Sequence, residues 1–322
     1  MIVWSIKDVP DSKRKLHLTP TPTAGGVGIM AGTVLGLMTL WIATPSAISP
    51  PLLMCLALGL SGGGLGLWDD ITNAGPKLKL VLMVALTLSF VLFGLRIEYL
   101  PLLTGLDLEL GPILGGFGTL IWLLVMVNVV NFMDGANGLA IGSAFIGLLG
   151  LMGLRLIETP LDDSELTSAF LCAVCSAACI GFLYWNVRDG RIFAGDSGAL
   201  FIGLMVGGLG AWACVDGVNP FAVALCFLPM LSDVILTILW RIGQKADLFQ
   251  AHRDHVYQRA IQFGYSHGQV AFVYWGLTLL CVIGAWLGQK LGASATLLIF
   301  GICFTFGCFG LTRVRAKYTP NS

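Results

Sequence analysis

Apolar residues in this chain are gathered into ten long runs separated by short polar stretches, with no sustained alternation. A helix needs about 20 mostly apolar residues to cross a bilayer core. Ten segments meet that requirement: roughly 24–43, 50–68, 78–95, 113–131, 138–157, 167–186, 198–216, 219–241, 269–288 and 293–312. Lipid offers the backbone no hydrogen-bond partners, so such segments close their bonds internally as helices. The pattern predicts an all-α polytopic membrane bundle of about ten transmembrane helices. It forms one unit over 1–322, without repeats or a separate soluble domain. An even number of spans leaves both termini on one side. The opening stretch, MIVWSIKDVPDSKRKLH, has too short an apolar run for a cleavable signal peptide.

Composition supports the membrane reading. The 322 residues are 56% hydrophobic and 11% charged, with mean hydropathy +0.85, whereas charged residues make up about a quarter of a soluble domain. A formal net charge of zero gives no nucleic-acid footprint. The charge is unevenly placed, however. Of 18 lysines and arginines, all except Arg96, Arg155 and Lys290 fall in 1–23, 69–79, 187–197, 241–268 and 313–322. The positive-inside rule makes those segments, and both termini, cytoplasmic. The opposite loops are acidic, as in ETPLDDSE. All four histidines, at 17, 252, 255 and 267, share the basic side.

The nine cysteines all lie in apolar runs. Cys172, Cys175 and Cys179 share a helix face, which small residues packing between helices explain better than a metal cluster. No disulfide is inferred. The 42 glycines suit close helix packing, and GGVGIMAG and GGGLG are read that way rather than as phosphate loops.

Four polar motifs sit where apolar runs meet the cytoplasmic side: WDDITN, NVVNFMDGANG, RIFAGDSG and AHRDHVYQR. Together with the first loop they define a candidate active face from 1–23, 69–79, 132–137, 187–197 and 241–268. Asp69 and Asp70 repel each other and are costly to hold near lipid, so they need a cation, donors or a task. Asp69, Asp70, Asn131, Asp134, Asn137 and Asp196 all offer oxygen, which suits Mg²⁺ or Mn²⁺ rather than zinc. Lys77, Arg188, Arg191, His252, Arg253, His255 and Arg259 are cations of the kind that clamp phosphate oxygens. Acids and cations on one membrane face point to phosphoryl transfer with a diphosphate substrate. With a lipid-side acceptor, the expected substrate class becomes a nucleotide-activated donor plus a membrane lipid phosphate.

Plainer roles exist for each motif. The aspartate pair can end a helix and set topology, although acids contribute little to topology. Asp134 and Asn137 can cap the helix that begins near Gly138. GDSG at 195–198 matches a serine-protease string, but Ser197 opens a membrane span. AHRDHVYQR can be a solvated helix face. Asp233 lies well inside a span, where an ionisable group is expensive and usually functional. It keeps an ion-coupled transporter open as an alternative. Transporter sites usually lie near the midplane within repeats, whereas the polar groups here gather at one face.

The motifs, taken in order along nearly the whole chain, resemble the polyprenyl-phosphate N-acetylhexosamine-1-phosphate transferases, glycosyltransferase family 4. DVPDSKRKLHLTPTPTAGG resembles the family's first cytoplasmic loop, WDDITN its paired-aspartate motif and NFMDGANGLA its Asn-x-x-Asp-Gly-x-Asp/Asn-Gly motif. YWNVRDGRIFAGDSGALFIG resembles its Gly-Asp-x-Gly motif. AHRDHVYQR resembles the His/Arg loop of the O-antigen-initiating branch. The histidine-rich string of the peptidoglycan translocase is absent.

The resemblance implies that a polyprenyl phosphate, in bacteria undecaprenyl phosphate, attacks the sugar-linked phosphorus of a UDP-N-acetylhexosamine and releases UMP. It implies a multi-pass protein of the bacterial inner membrane. By resemblance, Asp196 and Asn131 hold Mg²⁺, and Asp69 or Asp70 orients or deprotonates the lipid phosphate. Asp134 and Asn137 join the nucleotide site. His252, Arg253 and His255 hold the donor, with Arg259 in the same string, and Lys15 and His17 approach the lipid phosphate. A phosphate monoester is already mostly ionised at neutral pH, so Asp196 is expected to matter more than a base. Two departures keep a catalytically reduced paralogue open. The family carries a helix ahead of the first loop, where this sequence has MIVWSIK, and Asn137 stands where most bacterial members have Asp. A homodimer is compatible with the sequence, which sets no oligomeric state.

Overall fold

The computed structural model describes residues 7–8, 21–43, 48–157, 163–188, 190–247, 250 and 252–317. Lys15 and His17 lie outside the described residues. The elements in order are β1 (Lys7–Asp8), β2 (Thr21–Pro22), α1 (Gly25–Ala43), α2 (Pro50–Thr72) and α3 (Pro76–Leu92), then β3 (Tyr99–Leu103), β4 (Leu106–Glu109) and α4 (Gly111–Met133). They continue with α5 (Leu139–Arg155), α6 (Asp163–Asn186), α7 (Gly195–Val215), α8 (Pro220–Leu225), α9 (Leu228–Gly243), α10 (Val256–Gln262), α11 (His267–Leu291) and α12 (Ala293–Lys317).

The all-helical membrane architecture is as expected, and the helices divide by length. Among the described residues, seven helices are long and apolar enough to cross a membrane: α1, α2, α4, α6, α7, α11 and α12. Helices α3 and α5 have 17 residues each, about 26 Å at 1.5 Å per residue, at the lower end of what crosses a bilayer core. The predicted span 219–241 breaks into α8 and α9, with 6 and 16 residues. Proline at the start of α9 supplies no N–H to continue the α8 ladder. The segment between α3 and α4, which lies outside the predicted spans, forms the antiparallel β3–β4 hairpin.

Helix α7 is the axis of the bundle, buried without interruption from Ser197 to Ala213. Glycines let its neighbours come close. A Cβ on Gly59 would lie 2.4 Å from Met205, one on Gly62 2.4 Å from Leu204, and one on Gly66 2.3 Å from the Asp196 carbonyl oxygen. These contacts run antiparallel, so the C-terminal end of α2 meets the N-terminal end of α7. Helix α4 packs likewise: a Cβ on Gly203 would lie 2.6 Å from the Val127 backbone, and Trp122 Nε1 donates to the Gly207 carbonyl at 2.9 Å. One turn beyond these contacts, Asp69, Asp70 and Asn131 all arrive beside the start of α7.

The other end of the bundle is tied differently. Arg155, at the end of α5, donates from Nε to Ser168 Oγ and from Nη2 to Asp216 Oδ2, both at 2.6 Å. The described chain enters and leaves at the aspartate end. There Gly25 N–H donates to the Phe193 carbonyl at 3.0 Å, and Arg315 donates to the Asp254 carbonyl at 3.1 Å.

Candidate active site

The start of α7 organises the site. Gly195 has φ +68°, and a Cβ there would lie 2.8 Å from Asp70 Oδ2. Glycine therefore provides both the left-handed turn and the clearance. Asp70 fills that clearance from α2. Its carboxylate accepts the backbone N–H groups of Asp196 at 2.9 Å and Ser197 at 3.1 Å, capping α7 across the helix interface. Ser197 is fully buried and donates its hydroxyl to the Ala194 carbonyl at 3.2 Å. It is a helix-start residue and not an exposed nucleophile.

Both Asp70 oxygens are thus engaged by the backbone of α7. The Lys79 ammonium, from the first turn of α3, lies 2.7 Å from Asp69 Oδ2 and 2.6 Å from Asp196 Oδ2. Asn131 Nδ2 donates to Asp196 Oδ1 at 2.7 Å. Asp69 is buried, and its Oδ1 has no hydrogen-bond partner. Four helices converge here, and the donors facing the cation position are oxygens. Asp134, just past α4, feels this group. Burial first, then the charges of Asp196 and Asp70, push its carboxyl well above the usual range.

Asn137 meets the α6–α7 connection and the start of α11. Its backbone N–H donates to His267 Nδ1 at 3.2 Å, and its side chain lies against Gly190, where a Cβ would sit 2.7 Å from Nδ2. The turn is pinned by Gly138 N–H donating to Asn186 Oδ1 at 2.6 Å and by Trp275 Nε1 donating to the Gly138 carbonyl at 3.0 Å.

The His/Arg loop forms a second cluster against the same turn. Tyr257 donates its hydroxyl to the Phe132 carbonyl at 2.8 Å, and a Cβ on Gly135 would lie 2.3 Å from that hydroxyl. The loop's organiser is Asp233. Fully buried, it accepts from Val256 N–H at 2.9 Å, Tyr257 N–H at 3.2 Å, Thr237 Oγ1 at 3.1 Å and Tyr274 Oη at 2.6 Å. The two backbone bonds cap α10, the two hydroxyls tie in α9 and α11, and together they satisfy the buried acid without an ion pathway.

Asp254 gathers the cations. Its carboxylate accepts from Arg241 and from Arg259, the latter at 3.3 Å, with His252 Nδ1 at 3.7 Å. Burial alone would raise its pKa. The Arg241 hydrogen bond and the charges of His252, Arg241 and Arg259 outweigh that and hold the carboxyl below the usual range. The guanidinium groups of Arg259 and Arg315 both lie over the Trp240 ring, at 5.1 and 5.0 Å from its centre. His255 turns inward, 3.6 Å from Asp233 and beside Phe132. His252 and Arg253 are half-buried at the loop's rim.

The structure therefore joins Asp69, Asp70, Asn131 and Asp196 directly and sets Asp134 within electrostatic reach. It places the His/Arg string next door. Asn137 it sets against Gly190 and His267. Lys79, Asp254, Arg241 and Arg315 are additions, and Asp233, singled out in the sequence as an intramembrane acid, holds the His/Arg loop. In the sequence Lys79 stands out only as a topology marker, although it lies one helix start beyond WDDITN.

The sequence model of glycosyl transferase family 4 matches residues 52–213, half of the chain, including the aspartate pair, Asn131 and Asp196. Over 279 residues the chain is 26% identical to a probable undecaprenyl-phosphate N-acetylglucosaminyl 1-phosphate transferase of Bacillus subtilis, covering 85% of this chain and 75% of that protein. It is 28% identical over 313 residues to the decaprenyl-phosphate N-acetylglucosaminephosphotransferase of Mycobacterium leprae, covering 88% and 75%. It is also 27% identical over 273 residues to a phospho-N-acetylmuramoyl-pentapeptide-transferase of Rubrobacter xylanophilus, covering 79% of each. With the family's matched segment spanning α2 to α7, the helices that build the aspartate cluster, this chain belongs to glycosyl transferase family 4.

Proposed function

We propose that this protein transfers a sugar-1-phosphate, of the N-acetylhexosamine type, from a UDP-sugar to undecaprenyl phosphate. The products are undecaprenyl-diphosphate-sugar and UMP, and the reaction starts a cell-surface glycan such as O-antigen. The observation that carries this reading is the assembly of Asp69, Lys79, Asn131 and Asp196 beside a cluster of arginines and histidines. The relatives named above, two of them N-acetylglucosamine-1-phosphate transferases by name, support the same class.

An acceptor phosphate oxygen forms a bond to the sugar-linked phosphorus while the bond to the UMP oxygen breaks, and UMP leaves with that electron pair. The acceptor needs little deprotonation at neutral pH, so the chain's work is to position two anionic groups and offset their repulsion. Lys79 is placed to hold phosphate oxygens. His252 and Arg253, at the rim of the neighbouring loop, face the approach of the donor diphosphate. Arg259 acts through Asp254, and His255 through Asp233 and Phe132, so both position the loop. Asp70 fixes the start of α7 and with it the Asp196 carboxylate.

The oxygen-only donor set and the partnerless Asp69 Oδ1 fit a hard divalent cation such as Mg²⁺. Asp196 and Asp69 would hold it, with Asn131 orienting Asp196. When bound, Mg²⁺ neutralises charge on the donor diphosphate. The reading places this end of the bundle at the cytoplasmic face of a bacterial inner membrane, in keeping with the side that carries most lysines and arginines.

A donor screen tests the proposal. Purified protein with undecaprenyl phosphate and Mg²⁺ releases UMP from at least one UDP-N-acetylhexosamine, UDP-N-acetylglucosamine being the first to try. Folded protein that turns over none of them refutes it.

A further inference from the structure

Lys79 is the cation now held between two carboxylates that the reading above assigns to a metal. Its ammonium touches Asp69 Oδ2 and Asp196 Oδ2 at 2.7 and 2.6 Å, and no other side chain bridges that pair among the described residues. We infer that Lys79 and a divalent cation compete for the Asp69 and Asp196 carboxylates, and that the displaced ammonium becomes the phosphate-binding group for the donor. The inference rests on the metal reading under Proposed function.

Three observations carry it. Two carboxylates this close to one another demand a positive charge, and at equal distance a divalent ion interacts twice as strongly as an ammonium. Asp69 Oδ1 is buried without a partner while Lys79 occupies only Oδ2. An ammonium bridging the pair leaves that oxygen's desolvation uncompensated, whereas a multi-oxygen cation can use it. Finally, Lys79 sits on the first turn of α3 among exposed neighbours, Lys77, Leu78 and Leu80. A four-carbon stem at such a rim can swing its head outward.

The charge balance gives the exchange a direction. Asp69, Asp196 and Lys79 together carry one net negative charge, which repels a diphosphate. Adding a divalent cation makes the same group net positive by one, with a released ammonium at its edge. The metal therefore precedes the donor, and Lys79 couples the two binding events.

The test is a Mn²⁺ titration of the purified full chain followed by electron paramagnetic resonance, without nucleotide. Lys79→Met tightens Mn²⁺ binding by about tenfold, the effect of removing a competing unit charge a few ångströms away, while Lys79→Arg stays near wild type. Asp196→Asn loses the site. Unchanged or weaker Mn²⁺ binding in Lys79→Met, with an Asp196-dependent site in wild type, overturns the inference alone. Absence of an Asp196-dependent Mn²⁺ site in wild type overturns the metal reading and the inference with it. A second measurement needs no variant. Acetylation of wild-type protein, read by mass spectrometry against Lys77 as internal control, labels Lys79 several-fold faster when Mg²⁺ is present. A rate that Mg²⁺ leaves unchanged contradicts the exchange.

Discussion

The carboxylate of Asp70 caps the helix that carries Asp196, accepting the backbone N–H groups of Asp196 and Ser197 at 2.9 and 3.1 Å. Two acids that both look catalytic in the sequence therefore have different jobs. One builds the helix start and the other presents its side chain there.

Asp70→Ala removes two charge-assisted bonds and leaves the first N–H groups of a buried helix unpaired. It destabilises the protein by about 2 kcal/mol or more and abolishes turnover. Asp196→Asn leaves those backbone bonds intact, so its loss of turnover comes with little loss of stability. Thermal unfolding in detergent, alongside UMP release, separates the two.

Gly66 sets the distance between α2 and α7. Gly66→Ala puts a Cβ 2.3 Å from the Asp196 carbonyl oxygen, forcing the helices apart and pulling Asp69 and Asp70 from the start of α7. The expected destabilisation is about 1–3 kcal/mol, with activity lost. Gly64 faces open space, nothing lying within 4 Å of its Cβ position. Gly64→Ala keeps activity and gains up to about 1 kcal/mol from helix propensity.

Asp233 is a structural acid. Asp233→Ala leaves Val256 N–H, Tyr257 N–H and the Tyr274 hydroxyl without their acceptor, at about 1–3 kcal/mol for each buried donor. The His/Arg loop loosens and the apparent melting temperature falls. An unchanged melting temperature with altered ion coupling in liposomes would instead restore a transport role.

Asp134 gives a pH signature. Burial, with the charges of Asp196 and Asp70, raises its pKa in the folded protein. Its contribution to stability is therefore fully present below the unfolded value of about 3.9 and is lost as pH rises toward the folded value. Asp134→Asn removes that loss. In the absence of divalent cations, the variant melts higher than wild type at neutral pH, and the gap closes near pH 4. A gap that widens on acidification contradicts the assignment.

Much of this site is legible in the sequence because charged groups stand out among apolar residues. Asp69, Asp70, Asn131 and Asp196 each fall where a run ends, and antiparallel packing brings alternate run ends together. What the sequence hides depends on reach and direction. Lys79 belongs to a different helix from either partner, and only the length of its side chain joins them. Asn137 sits three residues from Asp134, yet the turn at Gly138 sends it to the α6–α7 loop. Asp233 reads as a functional intramembrane acid because its partners, the N–H groups of α10, come from a loop more than twenty residues away. The break between α8 and α9 lies within an unbroken apolar run and is signalled only by Pro229.

The central claim is that phosphorus moves together with the sugar. Purified protein is given UDP-N-acetylglucosamine radiolabelled at the sugar-linked phosphorus, with undecaprenyl phosphate and Mg²⁺, and the lipid and aqueous phases are counted. The account predicts label in the lipid phase, unlabelled UMP in water, and loss of both in Asp196→Asn. Label recovered as UDP in water, with the sugar alone on the lipid, or no transfer from any UDP-N-acetylhexosamine, would contradict it.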